Sequence, residues 1–160
     1  MAMHTWFECK IRYEKTMENG MNKKVTEPYL VDALSFTEAE ARIIEEISPF
    51  ISGEFTVSDI KRANYSELFS SAEEAADRWF KCKLYFITLD EKSGAEKKTA
   101  TNILVQASDL RDAVKKLDEG MKGTMADYVI ASVAETAIMD VYPFGVQPDE
   151  KPEFPDAGQQ

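Results

Sequence analysis

The chain has one histidine, His4, and two cysteines, Cys9 and Cys82. A single imidazole cannot build a histidine metal site or a conventional Ser/His or Cys/His pair spread along a chain. Two cysteines in 160 residues do not make a disulfide framework, so a reduced, cytosolic setting is expected. No apolar run approaches the length of a membrane span, and the N-terminus lacks the pattern of a signal peptide. Met1-Ala2-Met3 offers two starts, so Met1-Ala2 reads as an addition. The chain also lacks GxGxxG, a Walker loop, CxxC and HExxH. The expectation is therefore a non-catalytic protein with no cofactor and no metal.

What is present is a core and a surplus of acid. Hydrophobic residues make up 44% of the chain, enough to exclude global disorder. The net charge of −10 argues against nonspecific phosphate binding as the dominant behaviour. Most carboxylates, such as Glu38, Glu40, Glu45, Glu46, Glu73 and Glu74, fall on helix faces and loops that read as solvated surface.

The chain repeats itself. "TWFECKIRY" (5–13) matches "RWFKCKLYF" (78–86), and both tryptophans and both cysteines lie in these stretches. "LVDA" (30–33) matches "LVQA" (104–107), "FTVSDI" (55–60) aligns with "YVIASV" (128–133), and "SELF" (66–69) with "MDVY" (139–142). The spacing stays between 72 and 74 residues, which points to one unit used twice.

Each copy reads as β-β-α-β. Residues 5–15 alternate, with Phe7, Cys9, Ile11 and Tyr13 inward and Trp6, Glu8, Lys10 and Arg12 outward. Residues 16–27 read as an extended hairpin loop, and 28–36 as a second strand with Tyr29, Val31 and Ala33 inward. "TEAE" (37–40) reads as a capping box on Thr37, followed by the stripe Ala39, Ile43, Ile47 and Phe50. Residues 54–65 form the third strand, with its alternation disturbed near Asp59-Ile60 by a bulge. In the second copy Phe80, Cys82, Leu84 and Phe86 point inward, 90–97 is the hairpin loop, and 99–107 is the return strand. Leu110, Ala113, Val114, Leu117 and Met121 mark its helix, and 126–139 its last strand.

The fold expected is α+β: a duplicated β-β-α-β unit, with antiparallel sheet or sheets and two helices on one face, in a pseudo-twofold two-layer sandwich. The first repeat spans 1–69, a linker 70–77, the second repeat 78–144, and a disordered, acidic, Pro-rich tail 145–160, one compact domain in all. A single unit of this size buries too little to stand comfortably alone.

The candidate site is the outward face of the two first strands. It holds Trp6, Lys10 and Arg12 in one copy, and Trp79, Lys81, Lys83 and Tyr85 in the other, with Leu30, Leu104, Lys61 and Arg62 nearby. Three readings compete. Exposed apolar groups rimmed by basic ones form the contact with a protein partner or a second copy. The same aromatics and lysines hold single-stranded nucleic acid. Or the tryptophans merely cover the sheet. A small-molecule binder or an enzyme would need a site between the repeats. The partner reading leads. Cys9 and Cys82, inward by alternation, read as scaffold.

The stretches "WFECKIRYEK", "YLVDALSFTEAEARIIEE" and "FTVSDIKRANYSELF" resemble an uncharacterised domain-of-unknown-function family of Bacteroidetes bacteria and their phages, over about residues 4–144. The resemblance implies no activity, cofactor or catalytic residue. It does imply a phage or mobile-element setting, in which small acidic proteins serve as accessory binders.

Overall fold

Two long hairpins set the architecture. In the computed structural model, which describes residues 5–143, β1 (Thr5–Thr16) pairs antiparallel with β2 (Asn22–Ala33), and β5 (Arg78–Leu89) with β6 (Glu96–Ala107). His4 and the expected tail from residue 145 lie outside the described residues. The strands run well into the stretches expected as loops, leaving tight turns at Gly20 (φ 82°) and Gly94 (φ 72°). A left-handed backbone is cheap only for glycine, so these two residues let the hairpins close late.

The protein is mixed α+β, and its described residues form eight strands in two sheets and two α-helices. One sheet has the order β3-β1-β2-β8 and the other β4-β6-β5-β7. β3 (Phe55–Ala63) and β7 (Asp127–Glu135) lie antiparallel beside β1 and β5. The sheets are not purely antiparallel as expected. Each is finished by a short parallel edge strand, β8 (Val141–Tyr142) on β2 and β4 (Glu67–Phe69) on β6.

The chain divides into two compact units. The first comprises the described residues up to Ala63 together with those from Asp140 on, and the second comprises Asn64–Met139. The second is continuous in sequence and the first is not. "SELF", placed with the first repeat by alignment, thus lies in the second unit's sheet, and β8 from the end of the chain lies in the first.

In the first unit α1 (Phe36–Ile47) lays Ala39, Ile43 and Ile47 on Phe7, Cys9, Ile11, Tyr29, Val31 and Ala33, all buried. Each large aliphatic buried here contributes about 1.5–3 kcal/mol. The cap is Ser35, not Thr37: Ser35 Oγ accepts from the Glu38 amide at 3.1 Å, while Glu38 Oε1 accepts from the Leu34 amide at 3.2 Å. Starting two residues earlier brings Phe36 edge-on to Phe7, with ring centroids 4.9 Å apart. Phe50 leaves the stripe and is 74% exposed, because Ser48–Phe50 tightens into a 3₁₀ turn at Pro49 and rotates the ring away.

In the second unit α2 (Leu110–Gly120) buries Ala113 and Leu117, with Met121 following. Asp109 caps it, accepting from the Asp112 amide at 2.8 Å. Leu110, expected on the stripe, sits on the first turn and is half exposed. Both third strands carry a bulge. Lys10 faces Asp59 while Ile11 faces Val57, leaving Ser58 as the extra residue, one position before the expected place. Lys83 faces Ser132 while Leu84 faces Ile130, leaving Ala131. After β7 the chain is not strand to 139 as expected. Thr136 turns it, its amide and Oγ1 both donating to the Trp79 carbonyl, at 2.8 Å and 2.9 Å.

Candidate binding face of the second sheet

Residues directly opposite on neighbouring strands share a face, so the pairing register gives the outward face of each sheet row by row. In the first sheet the rows are Trp6–Asp32–Ala63, Glu8–Leu30–Lys61, Lys10–Pro28–Asp59 and Arg12–Thr26–Thr56, followed by Glu14–Lys24. Every cation of these rows has an acid in its own or the next row. Lys61 reaches Glu8 at 3.9 Å. This face is charge-balanced, not basic as expected, because Glu8, Asp32, Asp59 and Glu14 share it.

In the second sheet the rows are Trp79–Gln106, Lys81–Leu104–Ala134, Lys83–Asn102–Ser132, Tyr85–Ala100–Val129 and Ile87–Lys98–Asp127. Three lysines face one aspartate over this area. Among the described residues neither Lys81 nor Lys83 has an ion-pair partner. Lys83 Nζ instead lies 5.4 Å from the centroid of the Tyr85 ring. Lys81 and Lys98 are exposed, Lys83 and Tyr85 half-buried, and Val129 44% exposed. The residues opposite the two lysines on β7, Ser132 and Ala134, are small.

The tryptophans differ from what alternation alone implied. Trp79 is only 4% exposed, and Trp6 is half-buried. Leu30 and Leu104 are fully buried. A ring buried like that of Trp79 has no free face for a base or a partner without leaving the core. Of the seven candidate residues, Lys81, Lys83 and Tyr85 come together as one open basic-aromatic patch. Lys10 and Arg12 stand on the balanced face. Lys98 falls between the expected loop, 90–97, and the expected return strand, 99–107, and Val129 lies in a strand, 126–139, to which the sequence reading gave no faces. Counting the pairing outward from the Ser93-Gly94 turn would have placed Lys98 opposite Ile87.

The remaining chemistry is scaffold-like. Burial, reinforced by Glu8 and Glu40, pushes the Cys9 thiol up to about 12, and burial pushes Cys82 up to about 11. Neither supplies a thiolate nucleophile near neutral pH. Glu27 accepts from the Tyr13 hydroxyl at 2.7 Å and the Tyr29 hydroxyl at 3.3 Å, and Lys15 approaches it at 3.7 Å. This cluster pins the hairpin rather than opening to a ligand. An open cleft of about 900 Å³ runs past the end of the first sheet, its lining including Arg12 and Lys24 together with Glu14 and Glu54. Among the described residues no three metal-ligating side chains converge. No described helix is long and apolar enough to cross a membrane.

None of the curated proteins compared with the chain matches it. A family model described as "Domain of unknown function (DUF4494)" matches residues 5–144. That span is nearly the whole chain, so the protein belongs to the DUF4494 family.

Proposed function

We propose that this is a non-catalytic binding protein that holds an acidic segment of a protein partner on the outward face of its second sheet. The single observation that carries the reading is the Lys81–Lys83–Lys98 patch, free of ion-pair partners at its centre and floored by Tyr85 and Val129. Apolar and aromatic groups inside a basic rim suit a peptide that brings carboxylates and one apolar side chain. The test is chemical-shift mapping with a glutamate-rich peptide containing one aromatic residue, at low salt. Shifts confined to Lys81, Lys83, Tyr85, Lys98 and Val129 support the reading. Shifts produced instead by oligothymidylate alone favour the nucleic-acid alternative, in which Tyr85 stacks a base.

The same proposal takes the two units as copies of one duplicated pattern. Support comes from the bulges at Lys10/Ile11 and Lys83/Leu84, the turn glycines Gly20 and Gly94, and the caps Ser35 and Asp109, all 73 or 74 positions apart. A cytoplasmic accessory role in a Bacteroidetes or phage setting fits the two buried, unbridged thiols.

A further inference from the structure

The edge strand β8 is a separate piece of the first unit. It arrives from the far end of the chain and pairs through only Val141 opposite Leu30 and Tyr142 opposite Val31. Its seat is built wholly by other parts of that unit. The Leu30 amide donates to the Asp140 carbonyl at 3.0 Å. Tyr142 stacks on Tyr29, with centroids 6.2 Å apart. From α1, Arg42 donates to the carbonyls of Tyr142 (3.5 Å) and Pro143 (3.2 Å), and also to that of Asp32 in β2. The seat therefore reads main-chain carbonyls, a β-branched residue and an aromatic ring, in a fixed parallel register. That is strand addition to a sheet edge, the mode by which sheets take peptides from other chains.

Two features make the occupant replaceable. The ladder is two residues long, so few contacts must break for it to leave. Asp140 is exposed, and desolvation around its carboxyl holds it above the ordinary range against the hydrogen bond it accepts from the Val141 amide at 2.8 Å, so docking in the charged form is opposed. Upstream, Thr136 is fixed to Trp79, and Ile138 is 5% exposed with its amide on Thr136 Oγ1. The pivot is thus confined to Met139-Asp140. A vacated β2 edge with buried Val31 behind it would be an unpaired strand seeking a partner.

We propose that the Asp140–Pro143 segment exchanges between two copies of this chain, each seating its β8 on the other's β2 to give a closed, twofold swapped dimer. A second copy is the occupant because its segment satisfies every contact of the seat by identity, and exchange is reciprocal. This does not rest on the lysine face, which lies on the other sheet.

The test uses the full chain carrying Leu30→Cys and Val141→Cys, refolded at increasing protein concentration and then oxidised. The expected product is a covalent dimer beside covalent monomer. Their ratio rises about tenfold per tenfold in concentration while dimer is minor, as mass action requires. Cross-linked monomer alone at every concentration overturns the proposal. Should that variant fold poorly, wild-type chain refolded at high concentration is followed by native mass spectrometry beside a chain ending at Met139. Dimer in the first and none in the second is expected. Equal dimer in both would place the contact elsewhere and sink the exchange.

Discussion

Arg42 of α1 donates to the carbonyl of Pro143, 3.2 Å away and a hundred residues downstream, and its equivalent on α2, Lys116, holds the segment that follows β4. Lys116 Nζ reaches Ser71 Oγ at 3.0 Å and Glu73 Oε2 at 3.1 Å, while Asp112 steadies it at 3.0 Å. The two helices thus do the same work in the two units. Each lays an apolar stripe on its hairpin and sends one cation past the sheet to fasten the added edge strand.

Replacing Arg42 by alanine removes charge-assisted bonds to the main-chain carbonyls of Asp32, Tyr142 and Pro143. Such bonds are each worth about 1.5–3 kcal/mol. Arg42→Ala is expected to lower stability by about 2–3 kcal/mol in urea titration. Hydrogen exchange should accelerate first at Leu30, Val141 and Tyr142. Arg42→Lys is expected to recover only part, since an ammonium cannot span three carbonyls as a planar fork does.

Gly120 makes a second, sharper case. A Cβ built there would lie 2.5 Å from the Phe69 ring, so β4 sits flush on the helix end only because residue 120 has no side chain. Alanine is ordinarily the better helix former by about 1 kcal/mol. Gly120→Ala is nonetheless expected to be destabilising by about 1–3 kcal/mol through overpacking. Phe69→Leu in the same chain should return part of the loss. A stabilised single variant would show that the ring yields freely.

Much of this was readable from the sequence, and the exceptions have physical causes. Period-two alternation in 5–13 and 78–86 assigned the inward residues Phe7, Cys9, Phe80 and Cys82 correctly, because burial on one side of a strand imposes that period. The helix stripes were legible through Ile43, Ile47 and Leu117 for the same reason. The capping residue was misplaced because "SFTEAE" holds two overlapping box patterns, and the packing of Phe36 on Phe7 decides between them. The added strands were not legible as such. "SELF" and "MDVY" pair with distant strands, and nothing in a local pattern names a nonlocal partner. The patch on the second sheet was half legible: Lys81, Lys83 and Tyr85 were singled out, but alternation says only that Trp79 faces outward from its strand, not that it is covered.

Asp140 gives a pH prediction. Asp140 is exposed, but desolvation around its carboxyl outweighs the hydrogen bond accepted from the Val141 amide and raises it above the ordinary value, so the folded state binds its proton more tightly than the unfolded state does. A raised pKa means its contribution favours folding below the unfolded value and is lost as pH rises through the folded one. Asp140→Asn is therefore expected to stabilise the chain at pH 7, and the two proteins should converge under acid, below the ordinary aspartate range. Urea midpoints at the two pH values check this. A variant equally or less stable at pH 7 would contradict it.

The buried thiols should resist modification. With Cys9 near 12 and Cys82 near 11, Ellman's reagent at pH 8 is expected to react only as the chain opens. The rate should follow unfolding and rise steeply with urea. A fast native-state phase would mean that one cysteine is accessible.

The claim that the second sheet binds an acidic segment stands or falls on its lysines. The most direct measurement is the equilibrium affinity of the folded chain for a glutamate-rich peptide, compared with Lys81→Glu/Lys83→Glu and with Lys10→Glu/Arg12→Glu on the balanced face, at two salt concentrations. The account predicts that the first pair weakens binding by about tenfold or more, equivalent to ~1.4 kcal/mol, and abolishes its salt dependence, while the second pair changes it little. Equal loss from both pairs, or binding untouched by Lys81→Glu/Lys83→Glu, would contradict it.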